Sequence, residues 1–203
     1  MKVLWDVDTQ VDFMYPHGKL YVPGAVHTIP AMQRLVDAAR AAGIVHVASA
    51  DDHELTDAEI ADEPDFLNTY PPHCLRGTRG ALKIPETEQE DPVPLTLELL
   101  PERYLEGREF LILTKTFDVF TNPNTDRLLA YLDPGEIVVF GVATDVCNDA
   151  AIRGFLERGR KVVFVEDAAC GLDEDRVTTC TNAWRSAGVE FTTAQRVISS
   201  FSG

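Results

Sequence analysis

The chain has 203 residues, 45% of them apolar and 25% charged, with a formal net charge of −15; that is ample for one domain with its own core. So acidic a chain argues against nucleic acid and against an anionic membrane as partner. No apolar run is long enough to span a bilayer as a helix.

The opening MKVLWDVDTQ carries one Lys, and Asp6 and Asp8 break its apolar run, so it reads as a strand and not as a secretory signal. Val3, Leu4, Trp5 and Val7 form that first strand, which ends at Asp8. TQVDF comes next with Asp12 and Phe13, then a loop with two Pro and two Gly, MYPHGKLYVPGA. Residues 28–42 predict an amphipathic helix with Ile29, Met32, Leu35, Val36 and Ala39 on one face, stopped by Gly43. A second strand over residues 44–48 ends before Asp51.

Residues 51–108 are acidic, Pro-rich and weakly periodic. A structureless loop of that length is uncommon unless it serves function. The stretch therefore reads as an insertion holding a small site and a short strand or helix near 95–105. A third strand over residues 110–113 ends at Thr114 and Lys115, and a helix is expected around 124–132. Ile137, Val138, Val139 and Phe140 read as a strand buried on both faces, closed by Gly141. Thr144 and Asp145 are helix-start residues, and a helix runs from Val146 to a stop at Gly159. Residues 161–165 predict a fifth strand ending at Glu166 and Asp167, residues 173–187 a helix, and residues 189–192 a sixth strand.

Strands alternating with helices predict an α/β fold, a three-layer αβα sandwich around a Rossmann-like, mostly parallel six-stranded sheet. Residues 1–203 read as a single domain with the insertion at about 51–108. Ligands of such sheets sit outside the carboxyl ends of the strands. Asp8, Asp51, Lys115, Cys147 and Asp167 all fall at or just past such ends, although Asp167 also suits a turn or a cap.

Cys147 is expected in the first turn of a helix, where backbone N–H groups and the helix dipole bias a thiol toward thiolate. A small buried core cysteine is the competing reading. The four cysteines, Cys74, Cys147, Cys170 and Cys180, form no C-x-x-C pair, so free thiols in a reducing cytoplasm are expected. A thiolate nucleophile needs a base and a cation, which Asp8 and Lys115 can supply. The turn from Gly141 to Thr144 can aim N–H groups at a carbonyl oxygen. Those parts suffice for acyl transfer by attack, thioester formation and hydrolysis. Asp51, His53 and His73 offer a carboxylate and two imidazoles suited to Zn, Fe or Mn, with Glu59 or Asp57 available to complete the set. Phe13, Tyr70, Phe117 and Phe120 can wall a flat pocket or pack in the core.

These motifs resemble a known family. DVDTQVDF, GKLYVPGA, TKTFDVF, GVATDVCNDAA and VVFVEDAACG are similar to motifs of the isochorismatase-like cysteine hydrolases. DDH and YPPHCLRGTRGA are similar to the metal-loop motifs of its nicotinamidase (pyrazinamidase) members. The resemblance implies a Cys147–Asp8–Lys115 triad, an oxyanion hole from the N–H groups of Ala143 and Cys147, and a cis peptide between Val142 and Ala143. It implies metal ligation by Asp51, His53 and His73, and a substrate ring flanked by Phe13 and Tyr70, where Trp is commoner than Tyr. The family's usual third histidine is absent from HELTDAEIADEPDF, where Glu59 falls at a comparable offset with Asp57 and Glu63 nearby. The resemblance also implies a cytoplasmic, homo-oligomeric hydrolase that takes a small-molecule amide and one divalent metal ion. Such an enzyme would convert nicotinamide to nicotinate and ammonia within NAD salvage, or act on another small amide, carbamoyl or ureido substrate.

Overall fold

A computed structural model describes residues 1–201. Its centre is a seven-stranded sheet in which every pairing is parallel. The first strand, β1 (Lys2–Val7), lies in the middle because Val3, Leu4, Trp5 and Val7 are all buried, leaving no solvated face. After it come a single helical turn, α1 (Val11–Met14), and the helix α2 (Ile29–Ala42). The next strand, β2 (Val45–Asp51), precedes the insertion, which contributes β3 (Val93–Leu95). The chain continues through β4 (Glu109–Thr114), α3 (Thr125–Leu132), β5 (Glu136–Val142) and α4 (Cys147–Glu157). It ends with β6 (Val162–Cys170), α5 (Glu174–Ser186), β7 (Glu190–Thr192) and α6 (Ala194–Ser200).

The strand order is β3-β4-β2-β1-β5-β6-β7. The helices α2 and α6 pack on each other and on the sheet, while α4 packs on β5, β6 and α5. This is the expected layered α/β class. The chain grows from β1 toward one edge and then returns to grow from β1 toward the other. The crevice between the β2 and β5 ends is therefore the point at which an open α/β sheet accepts a ligand.

The sheet has one strand more than the six expected. β3 has three residues with Pro94 in the middle, too short to show a period. Proline is tolerated there because the strand lies at the sheet edge, where a missing N–H costs no ladder bond. β2 runs through Asp51, and β6 continues well past Val165 to Cys170. Asp167 therefore lies inside a strand; its carboxylate accepts the N–H of Ala194 and caps α6, a helix too short for its period to be predicted.

Gly141 sits where β5 shifts register against β6, with φ +120° and Val7 as its partner on β1. An added Cβ would overlap the Val7 carbonyl oxygen. Gly141→Ala is expected to destabilise the protein by about 2 kcal/mol or more, from φ strain and the clash together. Thermal unfolding compared with wild type checks this; an unchanged Tm would contradict it.

Candidate active site

Three strand ends converge at the switch point. β1 delivers Asp8, whose backbone takes the left-handed conformation at φ 47°, unusual for a non-glycine residue. Its carboxylate is buried and accepts a hydrogen bond from Ser49 Oγ at 2.6 Å. β5 ends in the cis Val142–Ala143 peptide, and Cys147 then opens α4. The Cys147 thiol and the Asp8 carboxyl group are near enough for each to shift the ionisation of the other. As the first residue of α4, Cys147 has an N–H with no acceptor inside the helix. Ala143, the other expected oxyanion donor, lines the same pocket.

The helix terminus does not win at this thiol. Burial, and after it the charges of Asp8 and Asp51, push the Cys147 thiol well above its ordinary range, so the expected bias toward a resting thiolate is not met. Burial, and next Asp51, likewise push Asp8 up to about 7, against the opposing pulls of Ser49 and Lys83. Thiol and carboxyl group thus compete for few negative charges. That arrangement suits proton transfer from sulfur to Asp8 during attack, and not a standing thiolate.

Lys115, the expected third member of the triad, lies just past the end of β4 rather than β1 or β5. Its Nζ bonds the Asp52 carbonyl oxygen and lies 3.2 Å from Asp57 Oδ2. Among the described residues it makes no ion pair with Asp8. Lys83, outside the quoted motifs, is buried against Asp6, with its Nζ 2.9 Å from Asp6 Oδ2.

Next to the sulfur, Asp51, His53, Glu59 and His73 are all buried, and each presents a ligand-type atom within 4.8 Å of the others. His73 Nδ1 donates to the Pro71 carbonyl at 2.8 Å, and its Nε2 faces Asp51 Oδ2 at 3.4 Å. His53 Nδ1 meets Asp57 Oδ2 at 3.3 Å. The opposite nitrogen, Nε2, is buried with no hydrogen-bond partner, 3.6 Å from Asp51 and 3.8 Å from Glu59. An orphaned imidazole nitrogen among carboxylates, with its other nitrogen held by a carboxylate, is the pattern of a metal-bound histidine steadied from behind. The four residues fit a divalent metal ion. Glu59 is the fourth member of the cluster, Asp57 holds His53 from behind, and Glu63 is exposed outside it. Burial works against ionisation of Asp51, but the imidazoles of His53 and His73 facing it outweigh this and hold it below the usual carboxylate range.

Cys147, Ala143, Asp51, Glu59 and His73 share one pocket with Phe13, Tyr70 and Phe117, closed by Leu20, Val22, Val146 and Leu172. Phe13 lies 5.3 Å and Tyr70 6.2 Å from the His73 ring, centroid to centroid. The Tyr70 hydroxyl is buried without a hydrogen-bond partner. Phe120 is elsewhere, packed on Phe155 under the Arg158 guanidinium. The aliphatic wall was not anticipated, although Leu20 and Val22 alternate along the extended LYVPG segment and so can face one way.

Comparison with known proteins agrees with this geometry. The chain is 26% identical over 196 residues to the nicotinamidase/pyrazinamidase of Mycobacterium tuberculosis, covering 94% of this chain and 97% of that protein. It is also 26% identical over 164 residues to a ureidoacrylate amidohydrolase of Agrobacterium fabrum, covering 79% and 69% respectively. The fold is shared with a pyrazinamidase of Pyrococcus horikoshii solved in complex with zinc, at a TM-score of 0.74 and 23% identity over 95% of this chain and 98% of that one. The model of the isochorismatase domain matches residues 3–196, nearly the whole sheet and its helices, and this chain is a hydrolase of the isochorismatase family.

Proposed function

We propose that the protein is a nicotinamidase, releasing ammonia from nicotinamide through a thioester on Cys147. The observation that carries this reading is one pocket in which the sulfur, two aromatic walls and a metal-ligating cluster face the same space. In this reading a flat heteroaromatic ring lies against Phe13 and Tyr70 with its carboxamide toward Cys147, all three lining the pocket. In the attack, the sulfur bonds to the carboxamide carbon while its proton passes to Asp8. The oxyanion is received by the N–H groups of Ala143 and Cys147. The C–N bond breaks as Asp8 returns the proton to the leaving nitrogen, and ammonia departs. Asp8 then takes a proton from water, which cleaves the thioester to nicotinate and restores the thiol. A metal ion held by Asp51, His53, Glu59 and His73 would supply a Lewis-acid anchor for a substrate ring nitrogen.

A carbamoyl or ureido substrate is the second reading. Two features favour it: the likeness to ureidoacrylate amidohydrolases, and the unpartnered Tyr70 hydroxyl, which offers a hydrogen bond inside the pocket. Ammonia release from nicotinamide, pyrazinamide and ureido acids decides between them. A kcat/KM for any ureido acid above that for nicotinamide would replace the first reading by the second. Size-exclusion chromatography with light scattering tests the proposed homo-oligomer.

Glu59 in place of an imidazole adds charge and hardens the site, so Mn or Fe is expected to be preferred over Zn relative to a three-histidine site. Protein purified without chelator is expected to carry about one metal per chain by elemental analysis. Chelation should lower Tm, since a ligand at a thousandfold its Kd stabilises by about 4 kcal/mol, and should raise KM more than it lowers kcat. Occupancy should fall as pH drops below about 6, where imidazoles take up protons instead. Substoichiometric metal together with a Tm and activity indifferent to chelator would reject the site.

A further inference from the structure

We propose that Arg176, in the first turn of α5, is a positioning residue that holds the Tyr70 wall of the pocket against the turn carrying Cys147. The assignment rests on the reading of that pocket as the substrate site. Residues 61–69 form a loop closed at its neck by a parallel bridge between Ile60 and Tyr70. There the Tyr70 N–H donates to the Glu59 carbonyl at 2.8 Å, and the Ala61 N–H donates to the Tyr70 carbonyl at 2.9 Å. One side of the neck therefore carries a member of the metal-type cluster and the other an aromatic wall. Within the loop the bonds are local. Asp65 Oδ1 accepts the N–H groups of Leu67, Asn68 and Thr69, and Phe66 takes the left-handed conformation at φ 56°. None of residues 61–69 is buried, and Phe66 and Leu67 are exposed. A loop without buried side chains has little to hold it in place unless another element ties it down.

Among the described residues, a single hydrogen bond ties residues 61–69 to the chain beyond that neck. Arg176 Nη1 donates to the Phe66 carbonyl at 3.0 Å, while Nη2 of the same guanidinium donates to the Asp145 carbonyl at 3.1 Å. Its Nε lies 3.4 Å from Asp145 Oδ2. Asp145 stands just before Cys147 in the turn that leaves β5. Its buried carboxylate also accepts the N–H of Leu172 at 2.8 Å and of Asp173 at 3.2 Å, and Leu172 lines the pocket. The Asp173 side chain in turn caps α5 by accepting the Arg176 N–H at 2.8 Å, which fixes the point from which the guanidinium reaches out. A planar fork can span two carbonyls at once, whereas an ammonium is a single point of charge. One side chain thus sets the distance between the loop that bears Tyr70 and the turn that bears Cys147. The guanidinium is also near enough to the Tyr70 hydroxyl to oppose the upward push that burial gives that group. Arg176 acts on a substrate through these elements and not by touching it.

The test compares Arg176→Met with wild type in the full chain. The first readout is amide hydrogen exchange of the free protein, followed by mass spectrometry, which needs no substrate. Exchange in residues 61–69 is expected to rise about tenfold, the scale of one lost charge-assisted hydrogen bond, while β1 and β5 keep wild-type protection. The second readout is kinetics with nicotinamide. KM should rise about tenfold and kcat stay within about threefold, because ordering the Tyr70 wall then costs binding while Cys147 and Asp8 are untouched. A merely structural role would lower Tm without that split. Should Arg176→Met not fold, because it strips the buried Asp145 carboxylate of its cation, Arg176→Lys keeps a cation there without the fork and carries the same expectation. Unchanged exchange of residues 61–69 in a folded variant, or faster exchange with an unchanged KM, overturns the assignment. Absence of turnover of any amide by the wild type would sink the reading of the pocket as a substrate site, and the positioning role with it. Exchange tells the two failures apart, since it reads the tie whatever the substrate.

Discussion

Cys147→Ala is expected to lower kcat by about four orders of magnitude or more, because covalent attack by the sulfur is the reaction path and no neighbouring group can take it over. Cys147 is 7% exposed, at the floor of the pocket that holds the metal cluster and the aromatic walls. Removing its sulfur should leave substrate binding and metal content near wild type. The variant is therefore a trap: it should bind nicotinamide without releasing ammonia, measurable by calorimetry beside an ammonia assay. In the wild type, limiting iodoacetamide should modify Cys147 ahead of Cys74, Cys170 and Cys180. Cys147 lines the substrate pocket with the proton-accepting Asp8 near it, whereas Cys74 and Cys180 are buried outside that pocket. Substantial activity in Cys147→Ala, with wild-type KM, would rule out the thioester route.

Asp8→Asn should lower kcat by a factor of about 100 to 10,000, the range typical of a lost general base, with a much smaller change in KM. Asparagine keeps the shape and can still accept from Ser49, so the loss is of the proton acceptor and not of the framework. The same substitution should raise stability, by an amount that depends on pH. In the folded chain Asp8 titrates at about 7, above its unfolded value, so folding retains a proton that the unfolded chain releases. Its contribution to stability is present at pH below the unfolded value and is lost as pH rises toward 7. Asparagine has no such loss. For metal-free protein, the gain in Tm of Asp8→Asn over wild type should be small at pH 4.5 and larger at pH 7.5. A gain that is equal at both values would show that Asp8 is not the buried, raised carboxyl group described, and a near-normal kcat would remove it from the base role.

Much of this was legible in the residues, because it depends on local chemistry. The apolar β-branched runs at β1, β4, β5 and β6 can hardly be anything but buried strands, and their alternation with helices leaves little freedom in topology. Asp8, Asp51 and Cys147 stand at strand ends, and the switch point gathers them because β1 lies between β2 and β5. Short or locally atypical elements were not legible: β3 is three residues long around Pro94, and the seven residues of α6 show too little of a helical period.

The sequence by itself determined the parallel α/β architecture, and it singled out Asp8 and Cys147, the metal-type residues Asp51, His53 and His73, and the aromatic residues Phe13 and Tyr70 as candidates for one site. Each of these comes from residue type and from position relative to a strand end or within a motif. Only the tertiary structure chose Glu59 over Asp57 and Glu63 as the fourth member of the cluster. The three carboxylates are chemically alike and close in sequence, and the fold alone decides which one is buried facing His53. Only the tertiary structure gave Lys83 and Lys115 their partners. A flexible four-carbon stem reaches several partners, and the choice is made by carboxylates distant in sequence, Asp6 for one and Asp57 for the other. The ionisation of Cys147 was decided in the same way. The helix start that favours a thiolate is local, but the burial and the charges of Asp8 and Asp51 that oppose it come from packing of separate strands, and in a low-dielectric interior they outweigh a helix terminus.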